Sequence, residues 1–310
     1  MMIYDRNQSS PATFILLGFS EYPDIQILLF LIFLAIYVIS VIGNVGMITI
    51  IAMNSKLHTP MYFFLKHLSF VDFCYSTVVV PKLLENLVAE GRAISFSACI
   101  TQFFFFANCA LTETFMLAMM AYDRFVAICN PLLYMVIMSH KRCALLMTAA
   151  YSWGLFFSLL FTYSLLVLSF CETNIIKNFV CDYSAILNAA CSDKHFSELI
   201  LSIFANFTML STLLVIISSY IFIFVTVMKM HSVRARYKAF STCASHLTAV
   251  GVFYGTVLFL YCIPNTKSSW FTKNLASVFY AVVIPMLNPL IYSLRNSEVK
   301  EIIRKLINKK

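Results

Sequence analysis

Apolar positions along this chain gather into seven long blocks parted by short polar breaks, each close to or beyond the roughly 20 residues a helix needs to cross a bilayer. The blocks run from Ile25 to Ala52, Met61 to Val80, Ala98 to Cys129, Ala144 to Leu168, Leu199 to Met228, Ala239 to Tyr261 and Leu275 to Leu294. In the third, Phe103, Phe106, Ala107, Ala110, Leu111 and Thr114 recur at steps of three and four residues and so share one helical face. Tyr254, Val257, Leu258 and Tyr261 repeat that spacing in the sixth. Such stripes in membrane helices ordinarily serve packing, so pattern alone specifies helices and not a site. It predicts an all-α membrane protein, a seven-transmembrane helix bundle over residues 25–294. Residues 1–24 form a leading extracellular segment, and residues 295–310 a cytoplasmic tail with a short amphipathic helix.

Composition agrees. Hydrophobic residues are 61% of the 310 and charged residues 12%, with mean hydropathy +0.84, which leaves too little polar surface to coat a soluble globule. A net charge of +8 would suit a nucleic-acid partner if the bases formed a groove, but they are scattered between the apolar blocks. With the N-terminus outside, the inner segments and inner span ends hold 15 bases against the three acids Asp123, Glu298 and Glu301, while the outer segments hold 7 bases and 9 acids. Bases retained on the cytoplasmic side fix that orientation and leave the tail inside. The first block is too long, and its leading segment too poor in positive charge, for a cleaved signal peptide. Asn7-Gln8-Ser9 is then a glycosylation acceptor on the outer side. Asn206-Phe207-Thr208 has the same pattern but lies inside a block, beyond the transferase's reach.

Ten cysteines divide by compartment. Cys99, Cys171, Cys181 and Cys191 lie outside, in oxidising surroundings, and the other six lie in spans or near the cytosol. Four cysteines allow three pairings, and composition does not choose among them. Close Cys-x-x-Cys pairs of the kind zinc sites use are missing from the sequence. Cys129 and Cys143 read as small apolar side chains rather than as palmitoylation sites. Asp72 and Glu113 sit in mid-block, where a carboxylate is costly and marks an ion or proton site, so each is expected to face the bundle interior. A hydrated cation and a bound proton would satisfy such a cavity equally. His67 and His246, near inner span ends, read as hydrogen-bonded interface residues rather than metal ligands.

The third block ends in Met120-Ala121-Tyr122-Asp123-Arg124-Phe125-Val126-Ala127-Ile128-Cys129 and continues through Asn130-Pro131-Leu132-Leu133-Tyr134. An acid beside a base at a membrane boundary is costly unless it pairs or switches. Four further segments accompany it: Leu57-His58-Thr59-Pro60-Met61-Tyr62-Phe63-Phe64-Leu65, Ser219-Tyr220, Lys238-Ala239-Phe240-Ser241-Thr242-Cys243-Ala244-Ser245-His246-Leu247 and Pro285-Met286-Leu287-Asn288-Pro289-Leu290-Ile291-Tyr292. In this order, and spanning the chain almost end to end, they resemble the signature segments of olfactory receptors, a branch of the rhodopsin-like G-protein-coupled receptors. Phe125 departs from the resemblance, because most of the family carries Tyr there.

The resemblance implies disulfides Cys99–Cys181 and Cys171–Cys191, and an interior cavity of Asn44, Asp72, Glu113 and Asn288 with Na⁺ as its occupant. It implies an inner-face switch of Asp123, Arg124, Tyr220, Lys238, Asn288, Pro289 and Tyr292. There Asp123 holds Arg124 at rest and releases it toward Tyr220 and Tyr292. Asn288-Pro289, which lacks a backbone donor, is a natural hinge. In the outer half it implies an odorant cavity lined by Phe103, Phe106, Ala107, Ala110, Leu111, Phe204, Ala205, Thr208, Tyr254, Val257, Leu258, Tyr261, Val278 and Ala281. That lining carries no full charge, so a small, mostly apolar volatile with few polar contacts is favoured. The implied function is an odorant receptor of the plasma membrane, with no enzyme chemistry, that activates a stimulatory G protein of the olfactory type and raises cyclic AMP. A secondary transporter would also hold carboxyls in mid-membrane, but it would show internal repeats with matching broken helices, and none is visible. A structural membrane protein gives no reason for those carboxyls.

Overall fold

The computed structural model describes residues 13–19, 23–89, 91–170, 175–262, 270–295 and 297–307. The long helices are α1 (Gln26–Met53), α2 (Pro60–Val88), α3 (Phe96–Cys129), α5 (His140–Leu166), α7 (His195–Met228) and α8 (Val233–Cys262). The seventh span is composite: α9 (Trp270–Val278), a π-helical stretch at Phe279–Val283, and α10 (Ile284–Arg295). Shorter helices are α4 (Tyr134–Ile137), α6 (Tyr183–Ala189) and the terminal α11 (Ser297–Ile307). Among the described residues seven segments are long and apolar enough to cross a membrane, as the seven blocks predict.

The helices overrun the apolar blocks at polar ends. Thr59-Pro60 opens α2 with proline in its first turn, where the missing N–H is not needed. At the other end α2 runs on through Pro81 to Val88, eight residues past the predicted limit at Val80. Ser95 caps α3 by accepting from the Ala98 amide at 3.2 Å. Helix α3 is the axis of the bundle: 67% of its most apolar window is buried, against 11% for the first span, and it packs on α2, α5, α7 and α8. Gly154 permits the close approach of α5, since a Cβ there would stand 2.2 Å from Thr112 Oγ1 and 3.0 Å from the Asn108 carbonyl oxygen.

A three-stranded cap over one end of the bundle was not expected from the sequence. Strand β1 (Thr13–Leu16) lies between β2 (Ala93–Ser95), antiparallel with Phe14 opposite Ile94, and β3 (Ile175–Ile176), parallel with Ile15 opposite Ile175. Alternation along β1 buries Phe14 and Leu16 and exposes Ile15. The strand continues into a strap at Leu17–Phe19, where the Leu17 amide donates to the Ile176 carbonyl at 3.0 Å and the Gly18 amide to the Asn178 carbonyl at 3.2 Å. Phe19 stacks on Phe179. The Cys99–Cys181 disulfide pins the outer loop to α3, and the Gln102 side chain reinforces it, donating to the Val78 carbonyl and accepting from the Cys181 amide. Cys191 is disulfide-bonded as well, while Cys171 and Asn7 lie outside the described residues. Free thiols among the described residues are Cys74, Cys109, Cys129, Cys143 and Cys243, all placed in spans or toward the inner side by the sequence.

Candidate functional site

Three polar constellations lie along the bundle axis. At its centre Asp72 from α2 and Glu113 from α3 are fully buried and joined by Asn288 from α10. The Asn288 amide donates to Asp72 Oδ2 at 3.0 Å, to Asp72 Oδ1 at 3.3 Å and to Glu113 Oε1 at 3.1 Å. Asn44 takes a different part. Pro289 has no N–H to give to the residue four before it, so the Pro285 carbonyl is freed from the helical ladder. Asn44 Nδ2 donates to that carbonyl at 2.9 Å and, within α1, to the Ser40 carbonyl at 3.0 Å. Asn44 Oδ1 and Glu113 Oε2 are buried with no hydrogen-bond partner among the described residues. The carboxylate oxygens of Asp72 and Glu113, with Glu113 Oε2 to spare, are ligands of the kind a hard cation such as Na⁺ takes.

At the inner face Asp123 and Arg124 are both buried, yet no ion pair joins them among the described residues. Neighbours in a helix point about 100° apart and do not face each other. Asp123 instead accepts from the Tyr134 hydroxyl of α4 at 2.9 Å. Burial, and then the Asp123 carboxylate, push the Tyr134 phenol above its ordinary range, so it stays protonated and donates. Arg124 reaches across to α8 and donates to the Thr242 carbonyl. His246 lies beside it, fully buried, with Nε2 3.0 Å from the Leu117 carbonyl and Nδ1 2.7 Å from the Tyr220 hydroxyl. A carbonyl only accepts, so a neutral imidazole carries its proton on Nε2 and Tyr220 donates to Nδ1. Helices α3, α7 and α8 are thus tied together at this level. Tyr292 is also buried, its hydroxyl without a hydrogen-bond partner among the described residues.

In the outer half aromatic and small residues form adjoining clusters. Phe103, Ala107, Leu111 and Phe204 pack with Phe157 and Tyr183. Phe106 meets Tyr75 and Tyr280 at ring-centre distances of 5.2 and 5.7 Å and shares a cluster with Val278, Ala281 and Ala110. Tyr254 and Val257 belong with Leu117 and Ile216. Between α7 and α8 the Tyr254 hydroxyl donates to Thr212 Oγ1 at 2.8 Å, and Thr212 donates to the Thr208 carbonyl at 2.6 Å. The buried Thr208 hydroxyl itself has no partner among the described residues.

The family model described as "Olfactory receptor" matches residues 33–310. The chain belongs to the olfactory receptor family. It is similar to human olfactory receptor 5D13, 60% identical over 307 residues that cover 99% of this chain and 98% of the relative. Human olfactory receptor 5D18 is 57% identical over 310 residues, covering 100% and 99%. Mouse olfactory receptor 1165 is 55% identical over 310 residues, covering 100% and 98%. Squid rhodopsin's crystal structure superposes with a TM-score of 0.74 over 92% of this chain and 86% of its own, at 16% identity, which establishes the rhodopsin-like seven-helix fold. As an olfactory receptor the chain is a multi-pass protein of the plasma membrane and a receptor rather than an enzyme.

Within this olfactory receptor the structure brings together most residues expected from the sequence, with two corrections. Leu258 is 56% exposed and faces away from the bundle, so it does not join Tyr254 and Val257. The stripe follows the ideal helical period, but at this outer level the inward face is narrower than the stripe. The expected Asp123–Arg124 contact is replaced by the partners described above. The side chains of Lys238 and Tyr261 lie outside the described residues. Three hydrogen-bonding partners were given no role from the sequence: Thr212, and Tyr134 and Thr242, which stand within the signature segments. Thr212 stands four residues after Thr208, on the same helical face, and that spacing was a usable signal. Thr242 acts through its backbone carbonyl, which no side-chain pattern reveals.

Proposed function

We propose that this olfactory receptor binds small, neutral, mostly apolar volatiles in the outer half of the bundle and activates a stimulatory G protein of the olfactory type, raising cyclic AMP. One observation carries the ligand class: the faces around Phe106 and Tyr254 are uncharged and aromatic, and the buried Thr208 hydroxyl, one turn before the Thr212 that Tyr254 bonds, has no partner among the described residues. That hydroxyl orients an oxygen-bearing odorant, and the rings supply contact area with little directional demand. Support for coupling comes from the inner face, where Arg124 and His246 hold α8 against α3 in an arrangement that outward movement of α8 would break. The charge asymmetry along the chain supports an extracellular N-terminus and a cytoplasmic tail, with Asn7 accessible to glycosylation.

We further infer that Na⁺ is the occupant of the Asp72, Glu113 and Asn288 cluster, with Asn44 Oδ1 as a candidate additional ligand. When bound, the ion would neutralise part of the buried negative charge and favour the closed packing of α2, α3 and α10.

The decisive experiment is an odorant screen reading cyclic AMP in cells that express this chain with the olfactory-type stimulatory G protein. Concentration-dependent responses to neutral volatiles are expected. A response that persists without that G protein, or that runs through another second messenger, would overturn the coupling.

A further inference from the structure

At the outer ends of the first two helices lies a small cavity of about 10 Å³, room for one water-sized guest. Its walls come from four separate parts of the chain: the strap at Leu17 to Phe19, Gln26 at the start of α1, Asn86 on α2 and Phe179 of the outer loop. None of the lining residues is charged. Asn86 is only 8% exposed. Its backbone carbonyl accepts from Arg92 Nε at 3.4 Å, but its side-chain Oδ1 and Nδ2 are both buried without a hydrogen-bond partner among the described residues. The wall beside it is tightly built. Gly18 has φ +48°, and a Cβ there would stand 3.2 Å from Phe179 Cβ, so only glycine lets the strap pass the loop at this height.

We propose that this cavity is a binding site for one small molecule carrying a hydroxyl, a water or a solute of similar size, which ties the N-terminal strap to α2 through Asn86. An amide with a free donor and a free acceptor is complemented by a group that both accepts and donates, and a hydroxyl does so through one oxygen. An ion would meet no countercharge in these walls, and an apolar guest would leave both amide atoms unpaired. Gln26 supplies a second amide at the other wall. The guest therefore bridges the strap, the outer loop, α1 and α2 where all four meet, and its presence sets how firmly the strap closes over α1 and α2. This reading does not depend on the odorant or the G protein.

The test is hydrogen–deuterium exchange on the purified full-length receptor in lipid nanodiscs, comparing the native chain with Asn86→Leu at the strap amides of Leu17 and Gly18. With a guest bound, the substitution removes its partners, and exchange at the strap should speed up about twofold to tenfold. Without one, leucine of similar volume relieves two unpaired polar atoms, so unchanged or slower exchange would overturn the proposal. If Asn86→Leu does not yield folded receptor, a map of the native protein decides instead: density within hydrogen-bond distance of both Oδ1 and Nδ2 supports the site, and bare density there refutes it. A millimolar methanol titration separates the sources. Added protection in the native chain but not in the variant identifies an exchangeable hydroxyl solute, and a flat titration alongside the Asn86→Leu effect identifies water.

Discussion

The outer and inner halves of the bundle are built on different principles. Outside the level of Asp72, the central faces meet mainly through rings and small side chains, and the buried Thr208 hydroxyl has no partner among the described residues. Toward the inner face, charged and polar side chains are tied to named partners across helices, Asp123 to Tyr134, Arg124 to Thr242, His246 to Leu117 and Tyr220, although the Tyr292 hydroxyl has none among the described residues. Apolar contact is roughly proportional to area and non-directional, whereas a buried bond that loses one partner leaves the other unsatisfied. Substitutions in the outer half should therefore shift responses by degrees. Those at the inner face should act almost as switches.

The strongest challenge to this contrast is Arg124→Ala. It should abolish odorant-evoked cyclic AMP while surface expression, read by antibody against an N-terminal tag, stays measurable. A variant that signals fully would show that the inner network is packing and nothing more. Next in size is Gly154→Ala, which puts a methyl group where Thr112 Oγ1 and the Asn108 carbonyl stand. Overpacking of this kind costs about 1 to 3 kcal/mol, so mature receptor at the surface should drop severalfold, and normal levels would mean that α3 and α5 can separate freely.

Asp72→Asn and Glu113→Gln, each taking one charge from the central cluster, should change how basal signalling depends on sodium or pH at matched surface levels. Unchanged titrations in both would leave the carboxyls as neutral structural groups. The smallest effect belongs to Thr208→Val. Losing one hydrogen bond of about 0.5 to 1.5 kcal/mol should weaken oxygen-bearing odorants roughly twofold to tenfold and spare hydrocarbon analogues, as dose–response series on alcohols and alkanes would reveal. Equal weakening of both sets would place the ligand elsewhere.

Much of this architecture is legible from the chain. Bilayer thickness forces long apolar runs, so the seven spans stand out, and the carboxyls at Asp72 and Glu113 are visible because charge is so rare around them. What escaped notice depends on backbone or on distant partners. The β1 strand is four residues of ordinary apolar alternation whose partners lie some 80 and 160 positions away. Helix α2 overran its predicted end because Pro81 and the polar residues after it remain compatible with a helix when flanking turns hold them. The resting partner of Arg124 is a main-chain oxygen, and every residue type carries one.

The three-stranded cap also constrains how the molecule is made. Strand β1 is synthesised first, yet β3, which it joins in parallel, follows about 160 residues later, after four of the spans. During that interval β2 and Phe96 are already present to pair with β1 and pack on Phe14, but its edge toward β3 stays unpaired. The cap is thus a late event in assembly, and its closure reports that the first half of the chain has been threaded correctly. Such long-range pairing is slow and leaves the unfinished chain open to aggregation. Shielding of that strand until β3 arrives would govern how much of the protein ever leaves the site of synthesis.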